Sequence, residues 1–420
     1  MFENTKSFAQ HLDQQDPLRK FRSYFHIPEK NNQEVIYFCG NSLGLQPKST
    51  RQYVEEELAD WENLGVEGHV AGKRPWKYYH KFSKKALAQL TGAKESEVVS
   101  MNNLTSNLHL LMVSFYRPNG KRNKIIAEAG AFPSDQYALE SQLKFHGFNP
   151  DETLIELKPR AGEFSLRTAD ILNTIQQHQD EIALVLIGGV QYYSGQLFDI
   201  KAITAAAHKA GAFAGFDLAH AIGNVPLNLH EDEVDFAVWC SYKYLNAGPG
   251  ANAGAFVHER HATEDIPRFA GWWGHHEAER FQMRKGFKPM PGVDGWQLAN
   301  VNVLSGAALL ASLAIFEEAG IENLRKKSLQ LTGYLEFLLN DIKSKADYFK
   351  IITPSNPNER GCQLSILMKQ KGKEVYNYIS EAGIVADWRE PDVIRVAPVP
   401  LYNNFEEVYN FADLFRKAVV

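Results

Sequence analysis

The 420-residue chain has only three cysteines, Cys39, Cys240 and Cys362, far apart and in no CxxC pair. That argues against a disulfide framework and a cysteine zinc cluster, and it sets the expectation of a reducing, cytoplasmic compartment. Excess charge is missing too: 45 Lys and Arg stand against 50 Asp and Glu, a formal net charge of −5. No electrostatic case arises for nucleic acid or an acidic membrane as partner. The longest apolar stretches, 182–190 and 304–316, fall short of the roughly 18 residues that a membrane-spanning helix needs. The N-terminal MFENTKSFAQHLDQQD has no apolar h-region and carries acids early, which argues against export. Internal repeats and low-complexity tracts are lacking. What remains is a globular composition, 44% hydrophobic, long enough for about two or three domains.

The chain is organised around residues 215–254. Two short apolar runs, 213–216 and 236–240, read as strands. The first delivers Asp217 and His220, the second Ser241, Tyr242 and Lys243. Asn246-Ala247-Gly248-Pro249-Gly250 follows, a run that no helix or strand interior tolerates. Ligands collect at the carboxyl ends of strands in α/β sheets. An acid, an imidazole, a phenol and an amine are therefore expected at one sheet edge. A partly desolvated lysine can form a Schiff base with pyridoxal 5'-phosphate (PLP), whose ring nitrogen needs an anion such as Asp217 beside it. Lys243 alone reads as a surface lysine; the set Asp217, His220 and Lys243 with its glycine-rich sequel reads as a cofactor site.

Strands and helices alternate through the middle of the chain. Strands are expected at 34–39, 97–101, 124–128, 152–157, 182–187 and 254–257, and helices at 53–64, 79–89, 136–146, 169–177 and 200–209. That pattern predicts a mostly parallel sheet with helices on both faces. Leu104-Thr105-Ser106-Asn107 opens a helix through Phe115, and its free amides make an anion site. Two readings stand there: Thr105 and the Leu104 amide hold a phosphate, or Thr105 or Ser106 caps the helix. Two stand for Phe132-Pro133-Ser134-Asp135 as well: Phe132 stacks on a pyridine ring with Asp135 near its 3-hydroxyl, or Asp135 caps the next helix. Gly188-Gly189 ends a buried run and allows close backbone approach.

Beyond the lysine, helices are expected at 302–316 and 321–340, then an α+β unit with strands at 349–353, 362–368, 384–387 and 393–397. Helices at 374–382 and 406–417 complete it. Arg395 lies in a strand pattern. It either grips a substrate carboxylate with its planar fork or makes a surface ion pair on an edge strand. Trp272 and Trp273 form an exposed pair that marks an interface. His275 and His276 do not make a metal site, because adjacent histidines point apart and no third ligand is placed.

In this order, CGNSLGLQPK (39–48), GKRPW (72–76), NLTSNLHLLM (103–112), AFPSD (131–135), GFDLAHAIGNVPL (215–227), WCSYKYLNAGPG (239–250), GWWGH (271–275) and IRVAPVPLYN (394–403) resemble the kynureninase family. The resemblance runs through most of the chain. It implies a PLP-dependent enzyme of fold type I, α/β, with a smaller α+β C-terminal domain. The expected division is an N-terminal arm with substrate loops at 1–78, a large PLP-binding domain at 79–310 and a small domain at 311–420. The implied reaction is hydrolysis of the Cβ–Cγ bond of L-kynurenine or 3-hydroxy-L-kynurenine to L-alanine and anthranilate or its 3-hydroxy form. Lys243, Tyr242 and Asp217 are the expected catalytic residues. Leu104, Thr105, Phe132, Pro133, Ser134, Asp135, Gly188, His220, Trp272 and Asn300 join them as cofactor contacts. The resemblance places Ser42, His69, Asn300 and Arg395 against the substrate. It has Trp272 and Asn300 reach the neighbouring subunit of a homodimer. The rivals are a desulfurase or aminotransferase of the same fold and a non-catalytic PLP-binding protein.

Overall fold

The structure, a computed structural model, describes residues 2–345 and 347–419. Continuous apolar runs make the central sheet. Its strands are β1 (Val98–Ser100), β2 (Lys124–Glu128), β3 (Leu154–Leu157), β4 (Ile182–Gly188), β5 (Phe213–Asp217), β6 (Phe236–Trp239) and β7 (Gly254–Val257). They lie in the order β1-β7-β6-β5-β4-β2-β3. β7 runs antiparallel to β1 and β6, and the pairs from β6 through β3 are parallel.

Strand alternation sends successive side chains to opposite faces. Ile125 and Leu184 pack on one face with Leu108, Leu111, Leu139 and Leu143 of helices Leu104–Phe115 and Pro133–Phe145. Ile126 and Val185 pack on the other with Ile171, Ile175 and Ile203 of helices Thr168–Gln177 and Ile200–Lys209. Gly215 is required in β5, since a Cβ there would sit 2.2 Å from the Phe236 ring. After β3 the chain crosses back over β2 to reach β4, so the strand order reverses between β2 and β4. Such a reversal opens a crevice at the carboxyl ends of the strands.

A second sheet is antiparallel: β8 (Phe349–Ile351), β9 (Leu364–Met368), β10 (Asp387–Arg389) and β11 (Val393–Val396), in the order β8-β9-β11-β10. Its core combines Ile366 and Ile394 with Leu335 and Phe411 of helices Ile321–Lys343 and Phe405–Val419. Ala9 of helix Lys6–Gln15 and Phe38 join it, so the N-terminal arm packs into this unit.

Several elements depart from expectation, each for a long-range reason. The strand expected at 34–39 is broken into Gln33–Glu34 and Ile36–Tyr37, and the latter pairs in parallel with Ile384–Val385. The strand expected at 384–387 divides for the same reason, Asp387 moving into β10. The helix expected at 79–89 begins only at Lys84. Tyr79 belongs to a 3-10 turn, Trp76–Lys81, where its hydroxyl donates to buried Glu57 at 3.0 Å. Among the described residues no single helix is long and apolar enough to cross a membrane; the bent pair Val303–Ala319 and Ile321–Lys343 passes by length and composition. Both helices bury leucines in the protein core.

Candidate active site

Asp217 and Gly188 are direct cross-strand neighbours at the ends of β5 and β4. Glu128 ends β2 across the reversal, and Tyr242 and Lys243 follow β6. These residues line one recess of about 540 Å³ of atom-free space including its mouth. Leu104, Thr105, Phe132, Ser134, Asp135, Val190, Tyr192, Ala219 and His220 complete its wall.

Two helix N-termini converge on the recess. Helix Leu104–Phe115 is capped by Asn103, whose Oδ1 accepts the Ser106 amide at 2.9 Å. The capping reading of Thr105 and Ser106 is thereby overturned, and the Thr105 side chain is free of that duty. Its hydroxyl lies 2.6 Å from the Ser134 hydroxyl in the first turn of helix Pro133–Phe145. Asp135 does not cap that helix either; it is nine-tenths buried in the first turn and faces the recess. Unpaired amides and hydroxyls from two helix starts make an anion cradle.

Lys243 Nζ lies 3.1 Å from His220 Nε2 and 5.6 Å from the centroid of the Phe132 ring. Burial, then the Lys243 charge, holds the His220 imidazole well below its ordinary range, so it stays neutral and accepts from the amine. The lysine turn is braced from behind. The Gly44 amide donates to the Tyr242 carbonyl at 2.8 Å, and a Cβ at Gly44 would lie 2.3 Å from the Lys243 carbonyl oxygen. Three acids share the recess with the cradle. Asp217 Oδ1 accepts the Ala219 amide at 2.7 Å. Burial, then neighbouring Asp217, pushes Asp135 well above the carboxylate range and Glu128 up to about 8.

This donor set fits PLP: an amine, an anion cradle, a carboxylate for the ring nitrogen and an exposed aromatic ring line one recess. Three buried atoms on the wall have no partner among the described residues, Asp135 Oδ1, Glu128 Oε2 and His220 Nδ1, as expected of a wall shaped for a polar guest.

Six of the expected residues do not line the recess. Pro133 starts the helix and has no N–H to offer. Ser42 is held in the turn bracing the lysine segment, its amide on the Cys39 carbonyl at 2.9 Å. The loop around His69 is pinned. Buried Glu57 accepts from Arg74 Nε at 2.5 Å and Trp76 Nε1 at 2.9 Å, and exposed His69 stands edge-on to Trp76 at 5.4 Å. Trp272 is half exposed and donates its indole N–H to the Arg280 carbonyl at 3.1 Å. Asn300 is exposed. Arg395 is fully buried on an interior strand, which overturns the reading of a surface pair on an edge strand. Its Nε donates to Asp387 Oδ2 and its Nη1 to the Tyr192 carbonyl, both at 2.6 Å. Its Nη2 is 2.5 Å from the same Asp387 oxygen but out of hydrogen-bonding alignment. The sequence reading missed Glu128, Val190, Tyr192 and Ala219. The signal for Glu128 was present, since KIIAE ends an apolar run in an acid just as GFD does.

Solved structures share the fold. A cysteine desulfurase from Thermococcus onnurineus NA1 superposes with a TM-score of 0.77 at 18% identity, covering 92% of this chain and 94% of its own. The cystine C-S lyase C-DES, in complex with cysteine persulfide, gives 0.76 at 17%, covering 91% and 97%. Fold and site together define a PLP-dependent enzyme of fold type I. Among curated proteins, a kynureninase of Flavobacterium psychrophilum is 53% identical over 100% of this chain and 99% of its own. Those of Myxococcus xanthus and Nematostella vectensis are 55% identical (98% of this chain and 96% of the relative) and 50% identical (99% and 94%). The model of the kynureninase C-terminal domain matches residues 324–415. The chain belongs to the kynureninase family.

Proposed function

We propose that the chain hydrolyses the Cβ–Cγ bond of L-kynurenine, or of its 3-hydroxy form, to L-alanine and anthranilate or 3-hydroxyanthranilate. The observation that carries the chemistry is the Lys243 amine, set 3.1 Å from a neutral histidine between two helix N-termini and a cluster of buried acids. Lys243 would attach PLP, the amides of Leu104 and Thr105 with the hydroxyls of Thr105 and Ser134 would hold its phosphate, Phe132 would lie against the ring, and Asp217 would hold the ring nitrogen. Bound there, PLP supplies an electron sink that acidifies the substrate Cα proton and stabilises the charge released as Cβ–Cγ breaks.

The chain's own residues do the rest. Arg395 turns its fork to the α-carboxylate and fixes the Cα–H direction. The freed Lys243 amine takes the Cα proton. The Tyr242 phenol, kept protonated because burial pushes it up, relays a proton within the pocket. Water adds to the γ-carbonyl. Ser42, His69 and Asn300 contact the aryl group.

The partner is a second copy of the chain. Trp61, Phe269, Trp272, Phe281 and Met283 are exposed large apolar side chains, which supports an interface. There Trp272 and Asn300 reach the neighbour's site. Residues 79–310 form the large domain, and residues 311–420 with the arm at 1–78 form the small one. Three free cysteines support a cytoplasmic setting.

The test is a product assay on PLP-supplemented protein with both substrates side by side. Equimolar alanine and anthranilate, or 3-hydroxyanthranilate, support the reading. Bound PLP with cleavage of neither would remove it and bring a desulfurase or aminotransferase forward.

A further inference from the structure

Glu128 sits on a wall shared by two recesses. One is the cofactor recess. The other, about 720 Å³ of atom-free space including its mouth, is lined by Ala129, Gly130, Pro159, Phe164, Gln191, Tyr193 and Gln196 among others. Gly130 and Pro159 are exposed, so this second recess opens at the surface. Glu128 is 6% exposed, and its Oε2 has no partner. Among the described residues the Gly188 amide is the one group that hydrogen-bonds its carboxyl. No arginine or lysine pairs with it among the described residues. The groups that face it are acids or neutral: Asp217 from β5, Asp135 from helix Pro133–Phe145, Tyr192 after β4 and Glu163 across the second recess. Lys243 and neutral His220 share the first recess with them.

Three carboxyl groups with one amine cannot all be ionised in a buried space, so at least one holds a proton. Asp217 is already committed to accepting the Ala219 amide. Glu128 Oε2 and Asp135 Oδ1 are the free oxygens among the described residues of the cluster, and Glu128 alone of the three acids also touches the second recess, which leaves it a path to water when a ligand fills the first.

We propose that Glu128 is the proton-holding positioning residue of the acid cluster: neutral at working pH, it adds no second negative charge beside Asp217 and leaves Asp217 as the anion that faces the cofactor ring. It acts through Asp217 and does not touch the reacting carbons. The proposal rests on the pocket being the cofactor site, and its test separates the two. Burial first, then Asp217, sets the Glu128 carboxyl at about 8. For an acid raised on folding, the unfolded chain ionises first, so stability is lost as pH rises from the ordinary carboxylate range up to the folded value.

The isosteric, permanently neutral Glu128→Gln variant removes that loss. In cofactor-free protein the melting temperature of the variant relative to wild type is expected to climb from pH 4.5 to about 8 and then level off. In PLP-loaded protein, the visible absorbance of wild type is expected to change with pH through one alkaline transition, which Glu128→Gln abolishes while cofactor remains attached. A parallel melting-temperature curve for the two cofactor-free proteins would overturn the proposal, even if PLP never binds. So would an alkaline spectral transition that survives in Glu128→Gln. Failure of both proteins to load PLP while the cofactor-free curves diverge would sink the cofactor reading and leave the protonated Glu128 standing.

Discussion

Gly44→Ala tests whether the N-terminal arm positions the lysine. The new Cβ would lie 2.3 Å from the Lys243 carbonyl oxygen and 2.8 Å from Asn246 Cα, about 1 Å short of ordinary contact at 3.4 Å. Both are backbone atoms, so no rotamer change relieves the overlap. Overpacking of this kind costs about 1–3 kcal/mol. If the lysine turn absorbs it, Lys243 moves by about that 1 Å, and a displacement of this size at a reacting group costs up to about 10²-fold in rate. The expected result is a kcat for kynurenine cleavage lower by roughly 10- to 100-fold, weaker PLP binding and a lower melting temperature. Gly333→Ala is the control: it lies in helix Ile321–Lys343, and its Cβ would meet nothing nearer than 3.4 Å, so stability is expected to hold or rise by up to about 1 kcal/mol. The assay is kcat, KM and PLP affinity on matched preparations, with melting curves. If Gly44→Ala melts lower but keeps wild-type kcat and PLP affinity, the arm yields and the lysine turn does not depend on it.

Other substitutions bear on separate parts of the site. Lys243→Ala is expected to abolish turnover and the visible band of lysine-bound PLP; normal turnover would refute the assignment of the amine. Arg395→Lys removes the planar fork, and the loss of one charge-assisted hydrogen bond, about 1.5–3 kcal/mol, should lower kcat/KM by roughly 10- to 150-fold, mostly through KM; an unchanged KM would show that the arginine serves Asp387 alone. Asp235→Asn tests the base of β5. Burial raises the Asp235 carboxyl, but hydrogen bonds from His208 and His261 and the Arg260 charge outweigh it and hold it far below the ordinary range. A depressed carboxyl contributes stability above roughly pH 4 that is lost as pH falls below it. Breaking this buried network should cost about 3–5 kcal/mol near neutrality and shrink toward zero in acid, read by denaturant melts at several pH values; an equal loss at every pH would assign the effect to packing.

Local signals decided which parts of the fold were legible. β2, β7 and the helix Ile200–Lys209 lie where the sequence pattern put them, because each is an apolar run closed by turn residues within a few positions. Elements held by partners outside their own segment were misread. Ile36–Tyr37 is a strand only because Ile384–Val385 pairs with it, and the 3-10 turn at Trp76–Lys81 exists because Glu57 gathers Arg74, Trp76 and Tyr79. No periodicity in either segment carries that information. The recess followed the same division. Asp217, His220, Tyr242 and Lys243 were legible because they follow strand ends closely in sequence. Arg395 was ambiguous because strand alternation gives its face but not its neighbours, and those turned out to be Asp387 and a carbonyl of Tyr192.

Glu128 was readable by the rule that found Asp217 and was passed over because a terminal glutamate also reads as the wet end of a strand. That difference is physical. An acid at a strand end is wet when the strand lies at the sheet edge. It is buried when the strand order reverses beside it. β2 has β3 on one side and β4 on the other, so its carboxyl end opens into the crevice and not into solvent. Topology, which no local pattern shows, therefore turns two ordinary strand ends and one helix start into one acid cluster. Each unpartnered buried polar group there costs about 1–3 kcal/mol in the empty fold. A guest that hydrogen-bonds to these groups recovers that cost on binding, so the same strain that weakens the cofactor-free protein selects what it holds.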